Sequence, residues 1–509
     1  MNESRKKDIN SQYNDNFEIT SPPQYSSAKQ RRLSQENTNL DNSDLETARE
    51  NPGGFMKIFE IYDHSILCVL CLAYFVQGFK VFLSLAVRDL FKDYLNLQPE
   101  YTQFLNSIII LPWSFKIVYG LIADNFPILG SRRRSYLIIN GLLFFVVLLL
   151  LAFNITKNEI VISGFLFIIA LNSAFTDVVV DALMVTQSKK DSENGSENLQ
   201  TLSWVMLAIG GVLGSLCSSY FTEYLQPSQT FASLSILGLA QAYFAYRINQ
   251  GIEKLSYNDA DAEQSIMVLI KINLIEIKEA MKMPQIYRTV LYFFLCGCLM
   301  PSFSDFAYYF QLNIIQFSKS TYSALQIIGF FALFLGTLMY NKYFKDVETR
   351  QNLLRAAYIN IFGCIVSVIF TLRLNVKYGI DDLTLIIFTS VVTDTLSLAF
   401  SLLPCLVLFA KITPKNVEAT IFATLTGISN LSSGVLSPMS GVIINKLFVG
   451  VSTENLENYW QLVVIQLFSA FVPLVLYRLI PTKKEIEEIQ GKNILIETGD
   501  QIELQQLNK

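Results

Sequence analysis

Six charged side chains stand in stretches otherwise too apolar to hold them: Lys80, Lys116, Asp177, Asp181, Asp305 and Asp394. A charge in a hydrocarbon environment is costly, so it normally faces a wet cavity or a partner of opposite sign. Asp177 and Asp181 are four residues apart and so share one helical face. Two carboxylates that close together in a low dielectric do not both ionise cheaply, which makes a proton-binding site; the alternative is that they pair with Lys116 or Lys80 and only tie helices together. Around Asp305 the chain reads Pro301-Ser302-Phe303-Ser304-Asp305-Phe306-Ala307-Tyr308-Tyr309-Phe310, a helix breaker followed by a carboxylate and aromatics. Phe306 and Tyr309 are candidates to stack on a flat heteroaromatic ring while Asp305 accepts hydrogen bonds from it. The same aromatics also suit simple packing or a lipid-facing surface.

Elements that can hold such charges must cross a membrane. Of 509 residues 51% are hydrophobic and 16% charged, and a soluble domain carries about 25% charged residues. With about 20 apolar residues per crossing, the pattern predicts spans near 65–91, 100–123, 134–153, 159–186, 199–224, 228–248, 287–315, 321–341, 351–372, 381–412, 415–445 and 457–479. The expected fold is therefore an all-α membrane protein of twelve transmembrane helices, six before and six after a polar gap. The organisation is a disordered cytoplasmic tail (1–60), a six-helix bundle (61–248), a cytoplasmic central loop (249–286), a second bundle (287–480) and a cytoplasmic tail (481–509). Ile266 to Met281 in the gap, and Ile486, Ile489 and Ile494 in the tail, are spaced for short amphipathic helices. Pro112, Pro301, Pro404 and Pro438 should kink their helices.

Basic residues collect after every even-numbered span: Arg132, Arg133 and Arg134; Lys189 and Lys190; Lys342, Lys345 and Arg350; Lys411 and Lys415. Odd-numbered loops hold few, among them Lys319, Arg373 and Lys377, which predicts cytoplasmic termini. Asn154 then lies in an external loop as a glycosylation acceptor too close to the membrane to favour use. No cleavable targeting segment stands out, so the plasma membrane is the default and an organelle membrane the alternative. The net charge of −4 gives no basic face for nucleic acid. Seven scattered cysteines without paired spacings indicate neither a disulfide framework nor a metal site, and no cofactor is expected. His64, the one histidine, sits at the entry to span 1.

An internal repeat supports two similar halves. Gly120 to Asp124 is echoed by Gly336 to Tyr340, Ser173 to Asp177 by Ser390 to Asp394, and Gly211 to Gly214 by Gly434 to Ser437, at separations of 216, 217 and 223 residues. Two repeats about an axis along the membrane normal are the architecture of the major facilitator superfamily. That resemblance implies a cavity lined by spans 1, 4, 7 and 10, which carry all the intramembrane charges except Lys116.

Local motifs narrow the resemblance. Tyr74-Phe-Val-Gln77-Gly78, Lys92-Asp93, Leu111-Pro112-Trp113-Ser-Phe-Lys116 through Tyr119-Gly120, Asp124, Gly130-Ser-Arg132-Arg133-Arg134 and Asp177-Val-Val-Val-Asp181 resemble the folate-biopterin transporter family. The resemblance implies a proton-driven carrier of folates, pterins or related anions, acting as a monomer in a lipid bilayer. It also implies a gating loop at Gly120, Asp124, Arg132, Arg133 and Arg134, with Asp124 as a cytoplasmic latch; positive-inside anchoring would account for the arginines as well. A pterin ring would meet Asp305 or Asp177, and glutamyl carboxylates Lys80 or Lys116. Lys80 departs from the family, which leaves either a more anionic substrate or a pairing with an aspartate. The rival readings are a carrier of another organic solute and a receptor or scaffold on the same fold. An enzyme is disfavoured, since no nucleophile–base set, phosphate loop or metal cluster appears.

Overall fold

A computed structural model describes residues 58–153, 156–188, 190, 195–248, 271, 274–275, 277–344, 346–413 and 418–488, apart from the side chains of 124, 125, 195–197, 222, 223, 341, 394, 398 and 418–420. Most of the tail expected at 1–60, most of the central loop, Asn154, Lys189, Lys345, Lys415, Ile489 and Ile494 lie outside the described residues. The described residues are almost wholly helical. Ten helices among the described residues are long and apolar enough to span a bilayer: α1 (His64–Tyr94), α2 (Pro99–Ala123), α3 (Arg134–Ala152), α4 (Glu159–Ser188), α5 (Asn198–Phe221), α7 (Pro284–Asn313), α8 (Lys319–Met339), α9 (Thr349–Thr371), α10 (Asp382–Ile412) and α12 (Leu456–Leu479). Two more fall in register between them: α6 (Pro227–Arg247), and α11, a run from Glu418–Leu431 to Asn445–Val449. Their Ser, Gln, Asn and Gly content keeps both from the apolarity of the other ten.

The four prolines sit where the helices depart from regularity. Pro112 lies in a tight 3-10 stretch of α2, Pro301 in the break between Pro284–Leu299 and Ser304–Asn313, and Pro404 and Pro438 each follow a widened π-type turn. Each ring removes one N–H and crowds the preceding turn, so the ladder yields there.

Small residues let the helices meet backbone to backbone. A Cβ built on Gly78 would stand 2.0 Å from the Leu207 carbonyl oxygen, and one on Gly210 would stand 2.1 Å from that of Phe75, so α1 and α5 touch through glycine. Gly141 and Gly238 do the same for α3 and α6. The repeat read from sequence falls on matching contacts. Gly211 of α5 lies under Phe330 of α8, while Gly434 of α11 lies under Ile110 of α2.

The face where α1 begins and α12 ends, the terminal face, is fastened within each half. Arg134 donates to the Tyr246 carbonyl at 2.8 Å, joining α3 to the end of α6. Arg288 of α7 grips Glu485 through two bonds of 2.9 and 3.2 Å, and Ile486 is buried beside Ile286. Ile58, inside the stretch expected as tail, is buried with Tyr62 in the core of α1–α6, and residues 483–488 form a short docked helix, as the spacing of Ile486 allows. Ala280, in the stretch expected as a surface helix, is likewise buried against α7. Lys319 and Arg373, exceptions to the loop-charge pattern, each meet carboxylates: Asp89 and Asp93 for Lys319, and Asp382 at 2.8 Å for Arg373.

Two outcomes are expected. Gly78→Val should lower the melting temperature of the purified protein steeply, because a side chain cannot fit against backbone, whereas Gly164→Ala, with nothing within 4 Å, should melt near wild type. The hydrogen bonds from Arg288, reinforced by Thr482, hold the Glu485 carboxyl down at about 2 from an ordinary 4.5. Its contribution to docking is thus complete above pH 4.5 and fades as pH falls toward 2. The anisotropy of a dye on Glu488→Cys should drop over that window, and Glu485→Gln should abolish the drop.

Candidate functional site: a polar cavity beneath an ionic clasp

One face of α1 carries Tyr74, Gln77, Lys80, Ser84 and Arg88 at spacings of three and four, a continuous polar stripe. Its middle and far end line a cavity of about 470 Å³ closed by α2, α4, α7 and α11. The polar lining includes Gln103, Asn106 and Ser107 of α2, Ser173 of α4 and Asp305 of α7. That volume lies in the ordinary range for small-molecule sites.

Asp305 owes its place to the break in α7. Pro301 interrupts the helix and frees carbonyls, and Gln103 of α2 satisfies one by donating to Ser302 O at 2.8 Å while also donating to Pro438 O at 2.8 Å. The helix restarts at Ser304, which puts Asp305 in a first turn, where the helix dipole favours negative charge. The carboxylate is buried and accepts from Arg88 Nε at 3.3 Å and Asn106 Nδ2 at 3.1 Å. Arg88 also donates to Tyr322 O–H at 2.8 Å and lies over the Tyr308 ring.

Beyond Arg88 the clasp widens. Lys319 of α8 bridges Asp89 at 3.2 Å and Asp93 at 2.7 Å, Lys92 meets Asp93 at 2.8 Å, and Tyr308 donates to Asp89 at 2.7 Å. Tyr309 O–H donates to the Leu97 carbonyl at 2.8 Å, Asn445 donates to Glu100 at 2.6 Å, and Thr453 N–H to Gln98 at 2.9 Å. These bonds join helices α1 and α2 to α7, α8 and the α11–α12 segment on the face away from the termini.

The other end of the stripe lies below the cavity. Asp177 accepts from Lys116 and from Gln77 Nε2 at 2.5 Å, and Asp181 accepts from Tyr74 O–H. Of the two arrangements open for the α4 aspartates, contact with Lys116 is the one formed by Asp177. Trp113 stands at the cavity floor, with the Lys80 ammonium 5.1 Å and the Lys116 ammonium 5.0 Å from its ring centroid.

The structure thus separates the candidates read from sequence. Lys80 and Asp305 line the cavity, whereas Lys116, Asp177 and Asp181 form a network beneath it. Phe306 and Tyr309 do not line this cavity. They are buried in the clasp, Phe306 against Phe303 and Tyr309 bonded to α2, because the restart of α7 turns them toward neighbouring helices. Span 10 does not line this cavity among the described residues. α10 packs on α8 and α9, and α2 and α11 take the position expected of it. The side chains of Asp394 and Asp124 lie outside the described residues. In the expected gating loop, a Cβ built on Gly120 would stand 3.7 Å from the Val178 side chain of α4, Gly130 turns at φ 74°, and Arg132 and Arg133 lead into α3.

Sequence reasoning missed Arg88, Asn106, Gln103, Asp89 and the clasp role of Lys319. Arg88 carried a signal, since it lies two helical turns from Lys80 on the same stripe. Its place at the end of a span disguised it as an interfacial charge.

A broken-helix cavity between two helix sets, capped by bonds that cross between them, belongs to the fold of the major facilitator carriers. The D-xylose–proton symporter structure superposes with a TM-score of 0.61 at 14% identity, covering 83% of this chain and 98% of that one, which establishes the shared fold. The chain belongs to the BT1 family, whose profile matches residues 77–498. It is similar to the probable folate-biopterin transporter 4 of Arabidopsis thaliana, 27% identical over 82% of this chain and 95% of that protein. The folate-biopterin transporter of Synechocystis sp. is 30% identical over 82% of this chain and 81% of its own length.

Arg88 is half-buried and Asp305 buried, so removing Arg88 leaves a buried carboxylate uncompensated, at a cost below the roughly 3–5 kcal/mol of a fully buried pair. Arg88→Met and Asp305→Leu singly should each lower the melting temperature by several degrees. The double variant should recover most of that loss, a non-additivity read directly by thermal unfolding.

Proposed function

We propose that this protein carries folate, biopterin or a related pterin across a membrane by alternating access. The observation that carries the reading is the cavity itself, in which the Asp305 carboxylate and the Asn106 amide stand side by side on one wall. A pterin ring presents both donors and acceptors along its edge, so this pattern suits it. Family membership and the names of the similar proteins support the same substrate class.

In this reading α1–α6 and α7–α12 are the two bundles that rock. The clasp holds one face closed, and the gating loop at Gly120, Asp124, Arg132, Arg133 and Arg134 serves the other. The basic residues of the even-numbered loops favour a cytoplasmic terminal face. Transport is coupled to protons through Asp177 and Asp181, one turn apart on α4 and bonded to α1 and α2 by Gln77, Tyr74 and Lys116. Protonating either carboxylate would release a contact between these helices, which supplies the link between proton and conformation. In this reading the protein acts as a monomer.

Uptake of labelled folic acid and biopterin into proteoliposomes tests this. Saturable uptake that rises with an inward proton gradient is expected, with Asp177→Asn removing the gradient response and Lys116→Ala lowering uptake at least about tenfold. Uptake of neither ligand by folded wild-type protein would refute the substrate class. Uptake indifferent to the gradient would refute the coupling.

A further inference from the structure

Lys80 feels the charges of Asp177 and Lys116 but forms no salt bridge with either. Asp177, the carboxylate nearest to it along the stripe, is held by Lys116 and Gln77, and Asp181 is held by Tyr74. Among the described residues no hydrogen bond or ion pair reaches the Lys80 ammonium. The ammonium stands 5.1 Å from the Trp113 ring centroid and lines the cavity. Lys80 thus makes no direct pair with an aspartate among the described residues. An ammonium has three donors, and an aromatic face satisfies none of them as a carboxylate would. Inside a membrane such a cation calls for an anionic partner, and the cavity is where one could come from.

The geometry points to a ligand with two chemically different ends. Lys80 and Arg88 are eight residues apart on one helix face, a rise of about 12 Å. At the Arg88 end stands Asp305 with Asn106, a wall that matches a heteroaromatic edge. At the Lys80 end stands a cation over an indole. Between them the lining is Leu83, Ile110, Ile169 and Ser84, which suits an aryl spacer. A free pterin fills one end only.

Building on the folate or pterin reading, we infer that Lys80 binds the carboxylate tail of the substrate and so selects acid-bearing pterin conjugates over uncharged pterins. Trp113 positions the ammonium by packing against it. Lys116, whose charge is spent on Asp177, has no part in this selection.

The test is equilibrium binding to the full chain in nanodiscs, with folic acid, pteroic acid and biopterin as probes carrying two, one and no carboxylates. Lys80→Met should lower the ratio of folate to biopterin affinity by about tenfold to a hundredfold, the loss of one charge-assisted hydrogen bond, with pteroic acid following folate. Lys80→Arg should restore most of the ratio. Retained biopterin binding by Lys80→Met shows that the variant is folded. An unchanged ratio, or an equal loss for all three probes, would overturn the inference while leaving the pterin reading intact. Wild-type protein that binds biopterin but not folate would do the same. Wild-type protein that binds none of the three would remove the pterin reading and this inference with it.

Discussion

The contact between Arg88 and Asp305 is the constraint on which the rest of the site depends. It exists because Pro301 breaks α7: the interruption exposes carbonyls that Gln103 caps, and the helix restarts so that a carboxylate enters its first turn. Arg88 then has a counter-charge across the gap, and Asp89 and Asp93, on the next turns of α1, find theirs in Lys319. Buried ion pairs add little net stability, because desolvation offsets most of their attraction. Their worth here is specificity. They fix which helices meet on this face, and they do so with bonds that a competing charge or proton can replace.

What moves must also be packed, and the two requirements are divided among different residues. Within α1–α6, Gly78, Gly210, Gly141 and Gly238 bring backbones into direct contact, and within α7–α12 Gly441 meets the Ser302 carbonyl in the same way, which leaves little slack for internal rearrangement. Between halves Gly211 and Gly434 meet side chains, Phe330 and Ile110, which can shift, while Gly427 of α11 meets the Ser114 carbonyl of α2. Closely packed helices within a half, joined across halves by side chains, exchangeable charges and few backbone contacts, suit a rocking motion.

Much of this was legible in the sequence because hydropathy and charge act locally. Span positions, the four proline irregularities and the repeat could be read directly, since each depends on residues within one or two turns. The cavity was less legible. Lys80 and Asp305 announced themselves by being charged in apolar surroundings, yet the same signal marked Asp177, Asp181 and Lys116, which satisfy one another. Only the third dimension separates a charge with a partner from one without. Phe306 and Tyr309 misled for a related reason: aromatics beside a carboxylate look alike in sequence whether they face a ligand or a neighbouring helix. Arg88 and Lys319 were hidden at helix ends, where basic residues are commonplace and their partners, more than 200 residues away, are not visible.

The central claim is that the clasp on the far face is the closed state of a gate. Spin labels at Tyr94→Cys and Asn313→Cys, both exposed on that face, would report its separation when the native cysteines are replaced. The account predicts a short distance in the resting protein, and a second, longer population when Arg88→Met removes the ion pair or when folate is supplied with a proton gradient. A single short distance under every one of these conditions would contradict it.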